Sequence, residues 1–187
     1  EAEAALGELG RFAPGLPKIS DGQQLFVLNG LAKLAFDGKM AIIQNGSPLF
    51  NGDAGSGPSE IRRYILEHDW LDAIVQLPNN SFMNTGIATY VWLLARNKPE
   101  HRRGKVQLID ASHCFEPRRK SIGDKRNDIT GGCRQLIMQA YEAFEHDAVY
   151  GDHEGIYCES KVFDTQEFGY YKITVERPQR DEAGNII

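Results

Sequence analysis

The hydrophobic pattern of the first part of the chain predicts a helix followed by a buried strand. Apolar residues recur at helical spacing over 25–35, and Ser20 or Asp21 is placed to cap that helix. Asp37-Gly38 is a usual helix stop signal, and the apolar run 39–44 after it is typical of a strand buried on both faces. A helix, a tight turn and a buried strand form half of a doubly wound unit.

The middle of the chain repeats this order and then departs from it. A loop rich in Gly, Asn and Ser over 45–57 leads into a helix opened by Pro58, and 72–77 is a second buried strand. A third strand is predicted over 87–95, separated from the second only by the polar segment 78–86. That segment is too short for a crossover helix, so we expect the second and third strands to pair antiparallel as a hairpin.

Beyond residue 97 the chain is more polar and its pattern is mixed. We expect a basic hinge at 98–105, a strand at 106–109 and a charged stretch at 116–128. An amphipathic helix at 129–144 and a last strand at 170–175 should follow. The helix is predicted in spite of Gly131-Gly132. The hairpin and this tail together make the architecture more specific than a generic α/β domain.

These patterns define an α/β fold in which parallel strands end in an antiparallel hairpin and a carboxyl-terminal extension follows. We divide the chain into a flexible leader (1–19), an α/β domain (20–112) and an extension of helix and strand (113–187). We expect the extension to pack either on the sheet or on a partner.

The composition excludes several classes of protein. The chain has 187 residues, 41% hydrophobic, 25% charged and 10% aromatic, so it is neither a disordered tail nor a coiled coil. No apolar run reaches the roughly 18 residues that would span a bilayer, so we expect no membrane segment. The scattered cysteines, Cys114, Cys133 and Cys158, favour free thiols in a reducing cytoplasm.

The charge distribution leaves one basic segment to explain. A net charge of -5 argues against non-specific polyanion binding by the chain as a whole. The positive charge is concentrated over 118–126, which either follows a phosphate backbone or is a solvated loop.

The sequence offers polar loops but no complete catalytic set. Neither Ser47 nor Ser81 lies in a nucleophile elbow, and no histidine or cysteine has metal-ligand spacing, so no catalytic or metal residue is predicted. The segments 45–48 and 79–86 follow strands at the edge where open α/β sheets place ligands. Their Asn, Ser and Thr side chains beside Phe82 suit a planar base, although turns demand the same residues.

Ordered sequence blocks carry a resemblance to a known family. The blocks are GKMAIIQNGSPLF (38–50), EIRRYIL (60–66), AIVQLP (73–78), NTGIAT (84–89), RGKVQLIDAS (103–112) and EFGYYKITVERP (167–178). The chain resembles the modification (methyltransferase) subunit of type I restriction-modification systems, an adenine-specific DNA methyltransferase that uses S-adenosylmethionine. The blocks depart from the family at Gln44, where Pro is usual, and at Gly131-Gly132, where the family has an uninterrupted helix.

The resemblance implies the second half of a Rossmann-like class I methyltransferase sheet. The family's glycine-rich cofactor motif and its Asn-Pro-Pro catalytic motif do not occur in this sequence. The family transfers a methyl group directly to the exocyclic amine of a flipped-out adenine. We therefore expect this chain to be the carboxyl-terminal half of the catalytic domain and to be inactive alone.

The resemblance also places six candidate site residues. Phe26 corresponds to an apolar wall near the cofactor, although core packing is an equal alternative. Asn45 and Gly46 lie in the loop beside the target pocket. The loop that covers the flipped base contains Asn84, Thr85 and Gly86.

The partners that the resemblance implies are DNA, a specificity subunit, a restriction subunit and a second copy of the modification subunit, in the cytoplasm. A second hypothesis is that the half-sheet and tail form a non-catalytic assembly module.

Overall fold

The apolar runs become strands of a six-stranded sheet in the computed structural model, which describes residues 2–184. The helices are α1 (Gln23–Lys33), α2 (Ser47–Phe50), α3 (Gly57–Glu67) and α4 (Gly131–Ala143). The strands are β1 (Lys39–Asn45), β2 (Leu71–Leu77), β3 (Thr89–Ala95), β4 (Lys105–Asp110), β5 (Glu116–Ile122), β6 (Lys125–Asp128), β7 (Ala148–Gly151) and β8 (Tyr157–Asp164).

The strand order in the large sheet is β1-β3-β2-β4-β8-β7, and β5 and β6 form a separate hairpin. β2 and β3 pair antiparallel, and β2 and β4 pair parallel, which confirms the predicted α/β class with its antiparallel hairpin. β3 also pairs antiparallel with β1, so it separates the two strands that the sequence pattern makes parallel. The register matches Ile42 with Trp92 and Ile74 with the same Trp92.

Helices cover the sheet on both faces because successive residues of each strand point to opposite sides. Val106 and Leu108 of β4 pack in a core formed with α1 and α3, while Ile109 packs in a second core with α4. The second core contains the three cysteines, all of which are free and buried, as predicted. A hydrogen bond with Cys158, together with burial, raises the pKa of the Cys114 thiol.

Two predicted helix starts are displaced by a few residues. α1 begins after Gly22 rather than at Ser20 or Asp21, because the Asp21 carboxylate is used by Ser47 and by the side chain of Gln23. α4 begins at Gly131, so the two glycines lie in its first turn, where the backbone N–H groups lack helical partners in any case.

The predicted strand at 170–175 is wrong, since this segment is irregular. Tyr171 is 98% exposed and Ile173 is 77% exposed, and the structure pairs no strand with them. An alternating pattern becomes a strand only where a neighbour supplies backbone hydrogen bonds. Here β7 and β8 continue the sheet instead, with β8 antiparallel to β4, and neither of these strands is predicted by the sequence pattern.

The predicted basic hinge at 98–105 is wrong in part, because two of its four Lys and Arg side chains are buried, while Arg103 and Lys105 are exposed. Lys98 and Arg102 are 3% and 4% exposed. The Arg102 Nε donates to Asp72 Oδ1 at 2.7 Å, and its guanidinium lies 4.4 Å from the ring centroid of Tyr141. Lys98 Nζ donates to Asp69 Oδ1 at 2.5 Å. Carboxylates at 69 and 72 therefore hold this segment against the sheet.

Tyr141 completes the buried network by joining α4 to β2. Its hydroxyl donates to Asp72 Oδ2 at 2.5 Å, and its carbonyl accepts from Arg102 Nη1 at 3.0 Å. Gln107 of β4 accepts from Arg102 Nη2 at 2.9 Å and donates to the Ala140 carbonyl at 2.7 Å. Every polar group in this chain of contacts has a partner, as a buried network requires.

None of the helices described within residues 2–184 combines the length and apolarity that a bilayer crossing demands. In the same range no three His, Cys, Asp or Glu side chains are grouped so as to hold a metal ion.

We expect Tyr141→Phe to lower the free energy of unfolding by about 1.5–3 kcal/mol, because Asp72 Oδ2 loses a buried donor. Burial and the Asp72 hydrogen bond raise the pKa of Tyr141 to about 12. A raised pKa contributes stability below the unfolded value near 10, and this contribution is lost as the pH rises towards 12. Urea unfolding between pH 8 and pH 11 should therefore show a smaller alkaline loss in the variant.

Tyr171→Phe is the matched control, because this tyrosine is 98% exposed and should unfold like the unaltered chain. Equal stability of the Tyr141 and Tyr171 variants at pH 8 would contradict the assigned role of the network.

Candidate nucleic-acid interface

The candidate site lies at the edge of the sheet where β1 and β2 end. β1 ends at Asn45 and β2 at Leu77, and Thr89, the first residue of β3, pairs with both of them. The loop after β1 and the loop between β2 and β3 (78–88) therefore leave the sheet side by side. This is the edge at which open α/β sheets bind ligands.

Asn45 is held in place by the start of α1. Gln23 Nε2 donates to Asn45 Oδ1 at 2.9 Å, and Gln23 Oε1 accepts from the Asn45 backbone N–H at 3.0 Å. The Ser47 N–H also donates to Asn45 Oδ1 at 2.9 Å, so both lone pairs of this oxygen are used. Within residues 2–184 the Asn45 Nδ2 has no protein acceptor, and it is the group left to donate to a ligand.

Asp21 anchors the other end of the same polar network. It accepts from Ser47 Oγ and, at 2.9 Å, from Gln23 Nε2. These hydrogen bonds hold the pKa of Asp21 below its usual range, so the carboxylate is charged at neutral pH. The adjoining cleft, lined by Asp21, Ser47 and Pro58, has a volume of about 20 Å³, enough for about one water molecule.

Gln44 has a side chain that supports this network. It is 4% exposed, and its Nε2 donates to the carbonyl of Gln23 at 2.9 Å. Its Oε1 and the Oγ1 of Thr89 are buried without a hydrogen-bond partner among the described residues. The role of Gln23 was not predicted from the sequence. The one available signal was its bonding partner Gln44, a position at which the sequence blocks depart from the resemblance.

Gly46 and Phe26 differ in what surrounds them. A Cβ on Gly46 would come within 3.4 Å of the rings of Phe50 and Tyr90, so the backbone there runs close to two aromatic residues. Phe26 is 69% exposed on α1, which rules out core packing within the described residues. Its predicted contact with the cofactor stays a prediction.

The described residues form at most a wall for S-adenosylmethionine. The exposed ring of Phe26 suits an apolar wall, but the cleft lined by Asp21, Ser47 and Pro58 is far smaller than the cofactor.

The β2–β3 loop contains the residues predicted to cover a flipped base. Asn84 is exposed, whereas Thr85 is half-buried, forms a bridge with Phe82 and accepts from the Ile87 N–H at 3.4 Å. Phe82 is itself half-buried against the second core, so it is less exposed than the sequence led us to expect. The polar side chains, more than the ring, are available to a ligand here.

Asn80 braces the loop, and sequence reasoning did not single it out. Its backbone has a φ of 57°, a left-handed conformation that Asn tolerates better than most residues. Its N–H donates to the Gly86 carbonyl at 3.3 Å, and its Nδ2 donates to the Asp124 carbonyl at 3.0 Å. A Cβ on Gly86 would lie 2.9 Å from that Nδ2, so glycine lets the two segments close.

Backbone carbonyl groups at the start of the glycine-rich loop at 52–57 accept hydrogen bonds from the guanidinium group of Arg62. Arg62 Nη1 donates to the Asn51 carbonyl at 2.6 Å, and Arg62 Nη2 donates to the Gly52 carbonyl at 3.4 Å. A phosphate cradle needs backbone N–H groups turned towards the ligand. The loop therefore has the character of a surface loop.

The chain belongs to the N-6 DNA methylase family, which it matches over residues 2–184. It is 33% identical over 161 residues to the type I restriction enzyme HindI methylase subunit of Haemophilus influenzae, covering 82% of this chain and 33% of that protein. It is also 33% identical over 134 residues to the MjaVII methylase subunit of Methanocaldococcus jannaschii, covering 69% of this chain and 20% of that protein.

Solved structures agree with these relatives. The type I restriction-modification methyltransferase subunit of Streptococcus thermophilus aligns with a TM-score of 0.72 and 28% identity, covering 89% of this chain and 32% of that one. A putative type I modification subunit of Vibrio vulnificus, at 16% identity and a TM-score of 0.53, shares the fold. The resemblance to type I modification subunits is confirmed, and this chain spans a third or less of the relatives' lengths named here.

We expect Gln23→Glu to lower the free energy of unfolding by about 2–3 kcal/mol at pH 7. The substitution removes the donor shared by Asp21 and Asn45 and sets two carboxylates against each other. The loss should shrink as the pH falls towards 4, where the introduced carboxyl is protonated and can donate again.

Gln139→Glu on the exposed surface of α4 makes the same chemical change without these contacts and should unfold like the unaltered chain. Urea unfolding measures both variants. If the Gln23 variant matched the Gln139 variant at pH 7, the network would not position Asn45.

We expect the substitution Asn80→Ala to destabilise the β2–β3 loop more than Asn80→Gly does. Asn80→Ala adds about 1–2 kcal/mol of left-handed strain to the lost side-chain bond, whereas Asn80→Gly loses the bond alone. Amide hydrogen exchange at Arg126 and Asn127, whose N–H groups donate to the Asn80 carbonyl at 2.9 and 3.2 Å, should accelerate most in the alanine variant. Asn79→Ala, an exposed neighbour, is the control, and equal exchange in all three variants would argue against the brace.

Proposed function

We propose that this chain is part of a type I modification subunit that transfers a methyl group from S-adenosylmethionine to the exocyclic amine of adenine in DNA. Family membership supports the methyltransferase class, and the 28% identical type I subunit with the same fold supports the type I assignment. The observation that carries the proposal is the pair of polar loops at one sheet edge, after β1 and between β2 and β3.

In this proposal Asn45 and Gly46 border the target pocket and Asn84, Thr85 and Gly86 cover the flipped base. Enzymes that modify a base extrude it and bind its edge with hydrogen bonds. Asn45 offers the Nδ2 donor that its own network leaves free, and Asn84 offers an exposed amide. An amide group donates and accepts, so it can match the mixed edge of adenine.

Most of the cofactor site must then be contributed by parts of the complete subunit that precede these blocks in the relatives. Phe26 is the candidate contact from this chain. When bound, the cofactor supplies the methyl group, while the residues named here orient the base and limit the access of water. We expect calorimetry of this chain with S-adenosylmethionine to show no tight binding, and tight binding with turnover would contradict this division.

The partners in this proposal are DNA, a specificity subunit that reads the site, a second modification subunit and, for cleavage, a restriction subunit. The HindI relative is itself named as a type I methylase subunit. We propose that the assembly acts in the cytoplasm. The division of the chain at 19/20 and 112/113 is part of the same proposal.

The test measures methyl transfer by the complete subunit, assembled with its specificity subunit, on duplex DNA. We expect Asn84→Ala to lower the rate about 10- to 100-fold, the effect of one lost hydrogen bond to the flipped base. With 2-aminopurine in place of the target adenine, the same variant should show a weaker fluorescence increase on binding.

Asn97→Ala is the matched control, since Asn97 is exposed beyond the other end of β3. It should methylate at the unaltered rate. Transfer to cytosine, or full activity of the Asn84 variant with normal flipping, would refute the assigned chemistry or the assigned loop, respectively.

The alternative of a pure assembly module cannot be tested by deleting 129–187, because that range contains α4, β7 and β8, and β8 pairs with β4 along its length. Deletion would expose the second core. Methylation by the complete subunit separates the two hypotheses instead.

A further inference from the structure

The hairpin formed by β5 and β6 is a local concentration of positive charge on an acidic chain. Between Glu116 and Asp128 it carries five cations and three anions, a net charge of +2, whereas the whole chain has a net charge of -5. Its cations are Arg118, Arg119, Lys120, Lys125 and Arg126. We call this segment the basic hairpin.

Two of these cations form ion pairs within the hairpin. Arg118 Nη1 donates to both carboxylate oxygens of Asp128, at 2.7 and 2.6 Å, and Lys125 Nζ lies 3.1 Å from Asp128 Oδ1. The two hydrogen bonds hold the pKa of Asp128 below its usual range. Asp128 therefore stays charged and fixes the base of the hairpin.

The other three cations have no anionic partner in the part of the chain that the structure describes. Arg119, Lys120 and Arg126 are all exposed. No ion pair or side-chain hydrogen bond involves their charged groups within residues 2–184. Three exposed cations without an anionic partner on one short hairpin suit a ligand with several negative charges, such as a phosphate backbone.

The basic hairpin is bonded to the β2–β3 loop near its tip. The Asp124 N–H donates to the Met83 carbonyl at 2.9 Å, and the Arg126 N–H donates to the Asn80 carbonyl at 2.9 Å. Asn127 Nδ2 donates to the Asn79 carbonyl at 2.9 Å. Gly123, at the turn, has a φ of 58°, and a Cβ there would lie 2.5 Å from the Met83 carbonyl oxygen.

These bonds fix the hairpin cations relative to the loop that contains Asn84, Thr85 and Gly86. Arg126 is attached through its own backbone to Asn80, and Asn80 in turn holds Gly86. A ligand group bound to the hairpin and a ligand group bound to the loop are therefore held in a fixed position relative to each other. A flipped nucleotide and the phosphates that flank it form such a pair of ligands on a single strand.

We propose that the basic hairpin binds the DNA phosphate backbone next to the target adenine, through Arg119, Lys120 and Arg126, and that Asn80 couples this contact to the β2–β3 loop. The proposal rests on the proposed function, because it identifies the adjacent loop as the base-binding loop. Phosphate contacts fix the register of a protein on DNA and carry no sequence information. The hairpin therefore positions the strand and leaves site choice to another subunit.

The test uses binding of a fluorescein-labelled 20-base-pair duplex, measured by anisotropy over a series of salt concentrations. The combined variant Arg119→Gln, Lys120→Gln and Arg126→Gln should bind about 10- to 100-fold more weakly at about 0.1 M salt. Its plot of log affinity against log salt should be shallower by about 2–3, because each lost phosphate contact removes about 0.9 from the slope.

A charge-matched control is available at the opposite edge of the sheet. Lys33, Lys39 and Lys105 are exposed near the amino ends of β1 and β4, and their combined change to Gln removes the same charge. The control should retain affinity and slope. Equal weakening of both variants would reduce the effect to net charge and overturn the proposal, as would absence of duplex binding by the unaltered chain.

Methyl transfer by the complete subunit separates this proposal from the proposed function. A subunit that methylates normally with the hairpin variant, while DNA affinity is unchanged, refutes the hairpin and keeps the methyltransferase. In the opposite case, DNA binding depends on the hairpin but the unaltered subunit transfers no methyl group. This result would support the hairpin as a DNA contact and refute the assigned adenine methylation.

Discussion

The buried contact between Asp72 and Arg102 determines how the two parts of the chain fit together. Both side chains are almost fully buried, at 4% exposure each, and Arg102 Nε lies 2.7 Å from Asp72 Oδ1. Asp72 belongs to β2, while Tyr141, the donor to its second oxygen, belongs to α4. Removing one partner of such a pair leaves an unpaired buried charge, which costs about 3–5 kcal/mol, so α4 has one allowed position on the sheet.

This constraint lies at the end of β2 away from the candidate site, and it leaves that site free to bind. Charged and polar groups near the start of β2 and β4, namely Asp72, Arg102 and Gln107, hold α4 through hydrogen bonds to Tyr141 and to the Ala140 carbonyl. At the carboxyl ends, by contrast, the polar groups hold loops: Gln23 holds Asn45, and Asn80 holds Gly86. The exposed amide and guanidinium groups at that edge are therefore carried by backbones that hydrogen bonds hold in place.

Local pattern was sufficient for the elements whose character is set by their own residues. α1 and the first three strands have apolar runs of helix or strand length, and the short segment 78–86 forces β3 to return beside β2. The expected burial of β1 on both faces is wrong, because β1 is an edge strand and Ile43 is 51% exposed. Prediction failed where a contact distant in sequence decides the outcome. Lys98 and Arg102 have the composition of an exposed hinge, yet carboxylates about 30 residues earlier bury them. The alternating segment at 170–175 has no partner strand and stays irregular.

The α/β class, the antiparallel hairpin, the free cysteines and, through the ordered blocks, the family were all predictable from the amino-acid sequence alone. These depend on short-range periodicity, loop length and residue identity, which a chain carries without folding. Three features emerge only in the folded chain: β3 separates β1 from β2, β8 extends the sheet, and the basic hairpin is hydrogen-bonded to the β2–β3 loop. Strand order and loop contacts depend on hydrogen bonds between residues far apart in sequence, and no local pattern encodes which partner a strand edge or a loop carbonyl will meet.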